Sequence, residues 1–205
     1  MRPDPSRLAL IAGVVIPIRA FTLGNARLAD ALGDAERVEL ARRMADRALA
    51  AAGPLPAVVV SSAPEVVQWA TENGAALLPD PGDLNRAASA GIEWCRDRAL
   101  SRAIIAHADL PLAAPGALLQ LAADAGQPII GLVPCHRDDG TPVLAVPTRL
   151  DFVPSYGPGS FRRHMIDARA AGFGVRVIHD AELGFDVDVP ADLLEIGLTA
   201  TPSSR

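Results

Sequence analysis

Short apolar segments alternate with amphipathic segments along most of the chain. Most of the apolar segments contain no intervening polar position, which is typical of strands that are covered on both faces. The segments predicted to be strands are Ala12–Ile18, Ala57–Ser61, Ala103–Ala106, Ile129–Val133, Val143–Val146 and Val175–Ile178.

Amphipathic segments with helical spacing separate these strands. The predicted helices are Ala35–Ala52, Pro64–Asn73, Leu84–Leu100, Pro115–Ala125 and Phe161–Ala171. Ser62 and Glu65 form the pattern of a capping box, and Gly53, Gly74 and Gly172 stand where helices are expected to end. The alternation predicts βαβ units, and hence an α/β fold with a central, mostly parallel sheet and helices on both faces.

The length of 205 residues predicts a single domain over 1–205, with frayed ends at 1–6 and 199–205. No apolar run approaches 18 residues, so we expect no transmembrane helix and no membrane partner. Two cysteines, Cys95 and Cys135, lack metal-ligand spacing. We expect both to be reduced and mostly buried, in a cytoplasmic protein.

The charge composition narrows the class of function. The chain has 19 basic and 24 acidic residues, and its net charge of −5 argues against a nucleic-acid partner. All 19 basic residues are arginines. The absence of lysine excludes a phosphate-binding P-loop and Schiff-base chemistry.

Ligands of such folds bind beyond the carboxyl ends of the strands, so the loops that follow the strands are the first candidates for a site. The first loop contains no G-x-G-x-x-G, which argues against an NAD or FAD enzyme. Its Arg19 and Arg27 could bind phosphates bidentately, or they could be ordinary surface arginines.

Three aspartates are candidates for a magnesium site. Asp109 directly follows a predicted buried strand, where a carboxylate suits Mg²⁺, although it could equally cap the turn before Pro111. Asp186 and Asp188 alternate with apolar residues, and strand spacing places them on one face about 7 Å apart. They could hold Mg²⁺ together with Asp109, or form a solvent-exposed strand face.

Two loops have the composition of anion-binding sites. The segment 156–161 contains Gly157 and Gly159 and leads into a helix with Ser160 as its expected N-cap. Thr141 follows a tight turn and could donate to an anion. Asn85 could contact the edge of a base through its amide. Ordinary turns are the alternative explanation for both loops.

Taken in order, these segments resemble the phosphoenolpyruvate or 2-phospho-L-lactate guanylyltransferases of deazaflavin coenzyme (factor-420) biosynthesis. The resemblance runs from about Val15 to Leu194. The segments that carry it are Val15–Ile18 with Arg27–Leu28, Asp80–Gly82 with Leu84–Asn85, His107–Pro111, Gly140–Thr141, Tyr156–Ser160 and Asp186–Leu193.

This resemblance implies a nucleotidyltransferase fold and the transfer of GMP from GTP to a small phosphorylated carboxylic acid, with Mg²⁺ bound and pyrophosphate released. Asp109 and Asp186, with Asp188, would be the metal ligands. The acceptor would be held by Thr141, Gly157 and Ser160. Arg19 and Arg27 would neutralise phosphate charge in catalysis, with Asn25 and Asn85 at the nucleotide.

The chain departs from the family pattern in its first loop. Lysines are usual where this chain has Arg19 and Asn25, so one positive charge is kept and one is lost. Pro142 also removes a backbone donor after Thr141. A related nucleotidyltransferase with another phosphorylated acceptor, or a weakened paralogue that only binds nucleotide, therefore stays open. The arginine-rich, lysine-free composition indicates a GC-rich bacterial genome, which favours phosphoenolpyruvate as the acceptor.

Overall fold

One mixed sheet forms the centre of the described chain, which comprises residues 12–24 and 26–197 of a computed structural model. Its strands are β1 (Ala12–Pro17), β2 (Ala57–Val60), β3 (Ala76–Leu78), β4 (Arg102–Ala106), β5 (Ile129–Val133), β6 (Val143–Pro147) and β7 (Gly174–Val177). Their order is β3-β2-β1-β4-β6-β5-β7. Only β6 is antiparallel to its neighbours, which confirms the predicted mostly parallel sheet.

The helices connect the strands as the alternating pattern predicts. They are α1 (Asp34–Ala51), α2 (Pro64–Glu72), α3 (Leu84–Asp97), α4 (Ser160–Ala170) and α5 (Pro190–Glu195), with 3₁₀ segments at Phe21–Leu23, Ala26–Leu28 and Ala117–Asp124. The segment predicted as a helix over Pro115–Ala125 is thus a shorter 3₁₀ helix. The other predicted helices agree within a few residues at each end.

Alternate side chains of β1 enter two separate cores. Val14 and Ile16 pack with apolar residues of α1 and α2. Val15 packs on the opposite face, with residues of α3 and α4. The sheet is therefore covered on both faces, and this explains why its strands are apolar at successive positions.

Close contact between α3 and β1 requires a glycine. A Cβ atom at Gly91 would lie 2.1 Å from Cγ1 of Val15. The absence of a side chain lets the helix lie directly on the strand that leads into the first loop. This contact fixes one wall of the region beyond the carboxyl end of β1.

The helix ends match the sequence signals better than the helix starts. Gly53, Gly74 and Gly172 have φ angles of +59°, +70° and +81°, which confirms their prediction as helix-ending residues. The predicted capping box at Ser62 is wrong, because α2 begins at Pro64 after Ala63. The Ser62 hydroxyl instead accepts a hydrogen bond from the Asp80 backbone N–H.

The direction of β6 changes which loops belong to the ligand-binding edge. The loop after Val146 was a candidate in a purely parallel sheet. Because β6 runs antiparallel to β4, this loop begins at the opposite edge, where Thr148 N–H donates to the Ser101 carbonyl, and returns to the carboxyl edge at Tyr156, whose ring packs against His107. The loop before β6, which contains Thr141, lies at the carboxyl edge of the parallel strands instead.

Several expectations concern residues outside the described part of the chain. The predicted frayed ends 1–6 and 199–205 lie there, as does Asn25. Within the described part, none of the helices has the length and apolar character needed to cross a bilayer. Cys95 and Cys135 are both free and buried, as predicted, and burial raises the pKa of the Cys95 thiol to about 12.

Candidate active site

A cavity of about 670 Å³ opens beyond the carboxyl ends of β1, β2, β3 and β4. Its lining includes Arg19 from the loop after β1, Asp80 from the loop after β3, and His107 and Asp109 from the loop after β4. The edge that the strand pattern identifies is therefore a concave site with both signs of charge. Arg19 and Asp109 are the residues of the sequence-predicted site that line it.

Asp109 has one carboxylate oxygen that is buried without a hydrogen-bond partner. Burial raises the pKa of Asp109 above its usual range. The nearby His107 opposes this shift, while the negative charges of Asp186 and Asp188 reinforce it. The three aspartates that the sequence predicted to act together are thus close enough to interact electrostatically.

A backbone contact brings the second acidic segment to the first. The N–H of Val187 donates to the Asp109 carbonyl at 3.3 Å. Val187 is buried in a small apolar cluster, and the aspartates on either side of it are partly exposed. The segment 185–189 does not form the predicted strand, and Phe185 and Val189 are partly exposed like the two aspartates, so the predicted alternation is found only at Val187.

Asp186 lies in a polar cluster with the segment that follows β5. Its Oδ1 atom is 3.0 Å from His136 Nδ1 and 3.9 Å from an Arg137 nitrogen. That oxygen is buried, and neither contact has hydrogen-bond geometry. The His136 ring stacks on Phe185, with ring centroids 4.8 Å apart. The histidine and the arginine thus position Asp186, although the sequence analysis did not identify them.

Asp192 organises the backbone beside Asp188. Its Oδ2 atom accepts hydrogen bonds from the N–H groups of Asp188 and Val189 at 2.8 and 2.9 Å, and its Oδ1 atom accepts one from Arg137 at 2.5 Å. Burial alone would raise the pKa of Asp192, but these hydrogen bonds and the Arg137 charge outweigh it and lower the pKa. Asp192 is therefore a structural carboxylate that fixes the acidic segment.

The donor set around Asp109 fits a magnesium ion. Asp109 and Asp186 each have a buried oxygen that lacks a hydrogen-bond partner. Among the residues that the structure describes, no group of three or more histidine, cysteine or acidic side chains is arranged as a metal cluster. Two carboxylates are sufficient for Mg²⁺, which usually completes its coordination with water and substrate phosphates.

The two arginines of the first loop have different surroundings. Arg19 lines the cavity, and none of the described residues forms an ion pair or hydrogen bond with its guanidinium. Arg27 instead forms an ion pair with Asp188 and is absent from the cavity lining. Of these two arginines, Arg19 is therefore the one that offers a ligand in the cavity a positive charge unpaired by the described residues.

Asn85 has a different position from the one that the sequence suggested. Its Oδ1 atom accepts the Tyr156 N–H at 2.6 Å, and its Nδ2 atom donates to the Tyr156 carbonyl at 3.4 Å. Both polar atoms of the amide are engaged by the backbone of a single residue. Asn85 thus holds the loop of Tyr156 through one donor and one acceptor of its amide.

The two predicted anion loops are joined by Asp139. Its carboxylate accepts the Gly159 N–H at 2.8 Å, and its carbonyl accepts the Phe161 N–H at 3.2 Å. The expected N-cap at Ser160 is corrected to Gly159, which has a φ of +71°. Ser160 is buried, and its N–H donates to the carbonyl of Gly157.

Thr141 is fully buried beneath these loops, next to His164. The His164 Nε2 atom accepts the Ser155 N–H at 2.9 Å, so its Nδ1 atom carries the proton and donates to Thr141 Oγ1 at 3.0 Å. Burial lowers the pKa of His164 to about 4, which keeps the ring neutral. Thr141 accepts from this ring and retains its own hydroxyl proton for donation.

Arg163 supplies positive charge to the glycine loop. It donates to the Ser155 carbonyl through two nitrogens and also to the Pro158 carbonyl. A Cβ atom on Gly157 would lie 3.2 Å from its guanidinium. Sequence reasoning missed this residue, although an arginine two residues after the predicted helix start was a usable signal.

Comparison with solved structures identifies the class of fold. A Desulfovibrio desulfuricans protein described as a nucleotide-diphospho-sugar transferase matches with a TM-score of 0.72 and 16% identity, over 90% of this chain and 85% of that one. A nucleotidyl transferase from Methanothermobacter thermautotrophicus matches with a TM-score of 0.63 and 19% identity, over 91% and 95% of the two chains. The fold is that of nucleotidyltransferases.

Sequence comparison then identifies the family. The family model described as "Guanylyl transferase CofC like" matches residues 12–202, and the chain belongs to this family of nucleotidyltransferases. A relative from Sphaerobacter thermophilus, named phosphoenolpyruvate guanylyltransferase, is 36% identical over 89% of this chain and 90% of its own length.

Two further relatives are named for other acceptors. A 2-phospho-L-lactate guanylyltransferase from Methanothermobacter thermautotrophicus is 30% identical over 89% of this chain and 82% of its own length. A 3-phospho-D-glycerate guanylyltransferase from Phenylobacterium zucineum is 30% identical over 91% of this chain and 89% of its own length. All three acceptor names describe a small acid that carries both a phosphate and a carboxylate.

Proposed function

We propose that this chain transfers GMP from GTP to phosphoenolpyruvate, with release of pyrophosphate, in the biosynthesis of a deazaflavin coenzyme. The observation that carries the proposal is the presence in one cavity of the Arg19 guanidinium, which pairs with none of the described residues, and of a buried Asp109 oxygen that none of them hydrogen-bonds and that lies 4.0 Å from His107 Nδ1. A nucleoside triphosphate with its metal ion requires a positive side chain for the phosphates and a carboxylate for the metal in the same site. The Sphaerobacter relative, at 36% identity, is named for phosphoenolpyruvate, while relatives named for 2-phospho-L-lactate reach 34% and one named for 3-phospho-D-glycerate is 30% identical.

In the proposed reaction, an oxygen of the acceptor phosphate attacks the α-phosphorus of GTP. The bond from this phosphorus to the bridging oxygen of the β-phosphate breaks, and pyrophosphate leaves with the electron pair. The attacking oxygen is already anionic near neutral pH, so no strong general base is required. The protein must align two anions and offset their mutual repulsion.

Asp109 and Asp186 would hold Mg²⁺, with Asp188 beside them. Bound Mg²⁺ supplies positive charge against the phosphate oxygens and orients them for in-line displacement. Arg19 adds a permanent charge toward the triphosphate. Well-placed electrostatic groups of this kind typically contribute roughly 3–4 kcal/mol each to the stability of the transition state.

The acceptor would lie on the other side of Asp109 from the cavity. The Tyr156 ring, at the start of the glycine loop, lies 5.3 Å from the His107 ring, and this contact places the loop beside the Asp109 segment. Gly157 and Ser160 belong to this loop, with Arg163 nearby as a positive charge. The Thr141 hydroxyl, with its proton available, supports the loop from below.

The test is a pyrophosphate-release assay with GTP, CTP and ATP against phosphoenolpyruvate, 2-phospho-L-lactate and 3-phospho-D-glycerate. The product mass should show GMP joined to the acceptor. We expect turnover with GTP and phosphoenolpyruvate, and little with GTP alone. Binding of GTP without pyrophosphate release from any acceptor would refute the proposal in favour of a paralogue that only binds nucleotide.

A further inference from the structure

The cavity lining contains two further carboxylates, Asp80 and Asp83, in the segment that follows β3. Asp80 follows β3, and Asp109 follows β4. In the order β3-β2-β1-β4 these strands are three spacings apart, about 14 Å. This separation is comparable with the length of a nucleoside monophosphate from the Watson–Crick edge of its base to its phosphate.

The wall between the two carboxylates is largely apolar. Ile18, Phe21 and Leu84 are among the residues that line it. Apolar walls with few polar groups are typical of sites that enclose the faces of a flat heterocycle. A base placed here would direct its polar edge toward the loop that contains Asp80.

Two hydrogen bonds fix the position of Asp80 and leave its Oδ2 atom without a described partner. Its N–H donates to the Ser62 hydroxyl, and its Oδ1 atom accepts the Gly82 N–H, both at 2.9 Å. None of the described residues forms a hydrogen bond or ion pair with its Oδ2 atom. The neighbouring Asp83 differs, because its carboxylate caps α3 through the Arg86 N–H at 2.9 Å and lies 3.9 Å from the Arg86 guanidinium.

We propose that Asp80 selects guanine by accepting hydrogen bonds from its N1–H and 2-amino groups. An ionised carboxylate only accepts hydrogen bonds. Guanine is the common base that presents two adjacent donors on its Watson–Crick edge, whereas adenine and cytosine present an acceptor beside their amino group. The inference rests on the proposed function, since it names the specificity residue of the same nucleotide site.

The structure gives Asn85, the other candidate for contacting the base, a different role. Asn85 is the polar residue that the sequence suggested for the base, but its amide is bonded to the Tyr156 backbone on both atoms. Asp83 is engaged at the start of α3. Among these three neighbours, Asp80 is the residue whose side chain has a polar atom, Oδ2, with no hydrogen bond or ion pair to the described residues.

The test measures nucleotide binding separately from turnover. GTP, inosine triphosphate and xanthosine triphosphate are titrated calorimetrically with Mg²⁺ into the full chain, its Asp80→Asn variant and its Asp83→Asn variant. Inosine lacks the 2-amino group, and xanthine has a carbonyl in its place. An asparagine can donate to that carbonyl, and its own carbonyl oxygen can still accept the Gly82 N–H.

We expect the parent chain to bind GTP at least tenfold more tightly than inosine triphosphate. In Asp80→Asn, the ratio of GTP to xanthosine triphosphate affinity should fall by about 100-fold, as expected for lost or mismatched hydrogen bonds to a charged group. Asp83→Asn should keep the parent ratio. A ratio in Asp80→Asn within threefold of the parent would overturn the inference.

Turnover measurements distinguish failure of the Asp80 assignment from failure of the proposed function. A chain that binds GTP selectively through Asp80, yet releases no pyrophosphate with any acceptor, would overturn the proposed function and leave the assignment of Asp80 supported. If the parent chain transfers GMP normally and the Asp80→Asn variant keeps the parent's nucleotide preference, the proposed function is supported and the role of Asp80 is overturned.

Discussion

Asp109 keeps one carboxylate oxygen in the protein interior with no hydrogen bond to it. An arrangement of this kind costs free energy in the absence of a ligand, and it becomes favourable when a cation binds to that oxygen. The raised pKa of Asp109 has the same origin, since burial and the neighbouring carboxylates both disfavour its charge. We therefore regard Asp109 as the residue most sensitive to substitution in the site.

Replacing Asp109 with asparagine should lower turnover by about 100-fold or more, because a charge beside the reacting phosphates is lost while the shape is kept. Steady-state pyrophosphate release measures this, with thermal unfolding to confirm that the fold persists. Asp151, whose side chain is fully exposed, supplies the matched control, and Asp151→Asn should behave as the parent. An Asp109→Asn enzyme within threefold of the parent would exclude this residue as a metal ligand.

His164 should make the fold sensitive to acid. Burial lowers its pKa in the folded state to about 4, below the ordinary value of 6.5. Above about pH 6.5 the ring is neutral in both states and contributes no pH dependence. As the pH falls from 6.5 toward 4, protonation stabilises only the unfolded chain, so the free energy of unfolding should decrease by up to about 3 kcal/mol.

Denaturant unfolding at a series of pH values would measure this effect. His164→Gln should be less stable than the parent near pH 7, because the contacts of the ring to Ser155 and Thr141 are lost. Its stability should nevertheless depend less on pH between 6.5 and 4. The exposed His179 provides the control, as His179→Gln should keep the parent slope. Parallel curves for His164→Gln and the parent would contradict the assignment.

At this scale the sequence predicted individual side chains only where local pattern is sufficient. Asp109 follows a strand, and Asp186 and Asp188 alternate with apolar residues of which Val187 is buried, so their clustering could be inferred. The role of Asn85 depends on Tyr156, which is 71 residues away in the chain. His136 and Arg137 gain their importance only by contact with Asp186 and Asp192. No local pattern encodes such partners.

At the scale of elements, the amide of Asn85 couples the start of α3 to the glycine loop. The two hydrogen bonds fix the Tyr156 backbone immediately before Gly157. A loop held in its binding conformation before the ligand arrives loses less conformational entropy on binding. The coupling thus links a nucleotide-side helix to the acceptor side of the site.

Asn85→Ala should raise the KM for phosphoenolpyruvate by roughly tenfold, because the loop must then be ordered by the acceptor itself. The KM for GTP should change by less than threefold, since the amide does not contact the nucleotide. Steady-state kinetics with each substrate varied in turn separates the two effects. A larger effect on GTP than on the acceptor would show that Asn85 contacts the base after all.

The elements themselves were largely predictable, since long apolar and amphipathic segments carry strong periodic signals. β3 has three residues, all of them half-buried, and α5 has six residues, which are too short to show a period. The reversed direction of β6 was also beyond local pattern. An apolar strand has the same composition whichever way it runs, and only its pairing with β4 and β5 defines its direction.

At the scale of the whole molecule, the site collects negative charge that a bound cation would offset. The chain carries a net charge of −5, and three aspartates lie close together at the carboxyl edge of the sheet. A ligand that binds only the folded state stabilises it in proportion to the logarithm of its concentration. GTP and Mg²⁺ should therefore stabilise the fold jointly.

Thermal unfolding should show a higher Tm with GTP and Mg²⁺ than with either alone. A nucleotide concentration of 100 times Kd corresponds to about 2.7 kcal/mol, or several degrees in Tm. Chelation of Mg²⁺ should remove most of the shift, and Asp109→Asn should show little of it. An equal shift with and without the metal would mean that the nucleotide binds independently of the carboxylates.

The reversal of β6 has an evolutionary consequence. It brings the loop before β6 to the carboxyl end of β4, where the Tyr156 ring also packs against His107. The loops proposed for the acceptor therefore come from the later half of the chain, and the cavity proposed for the nucleotide is lined by residues of the first 109 positions. Substitutions that change the choice of acceptor can then be selected without changing the choice of nucleotide.

A hybrid with residues 130–197 of the Phenylobacterium relative should retain GTP as its nucleotide and prefer that relative's acid. An assay in which the two acids compete would measure this preference. A hybrid that retained the parent's acceptor would show that acceptor choice is made in the first half.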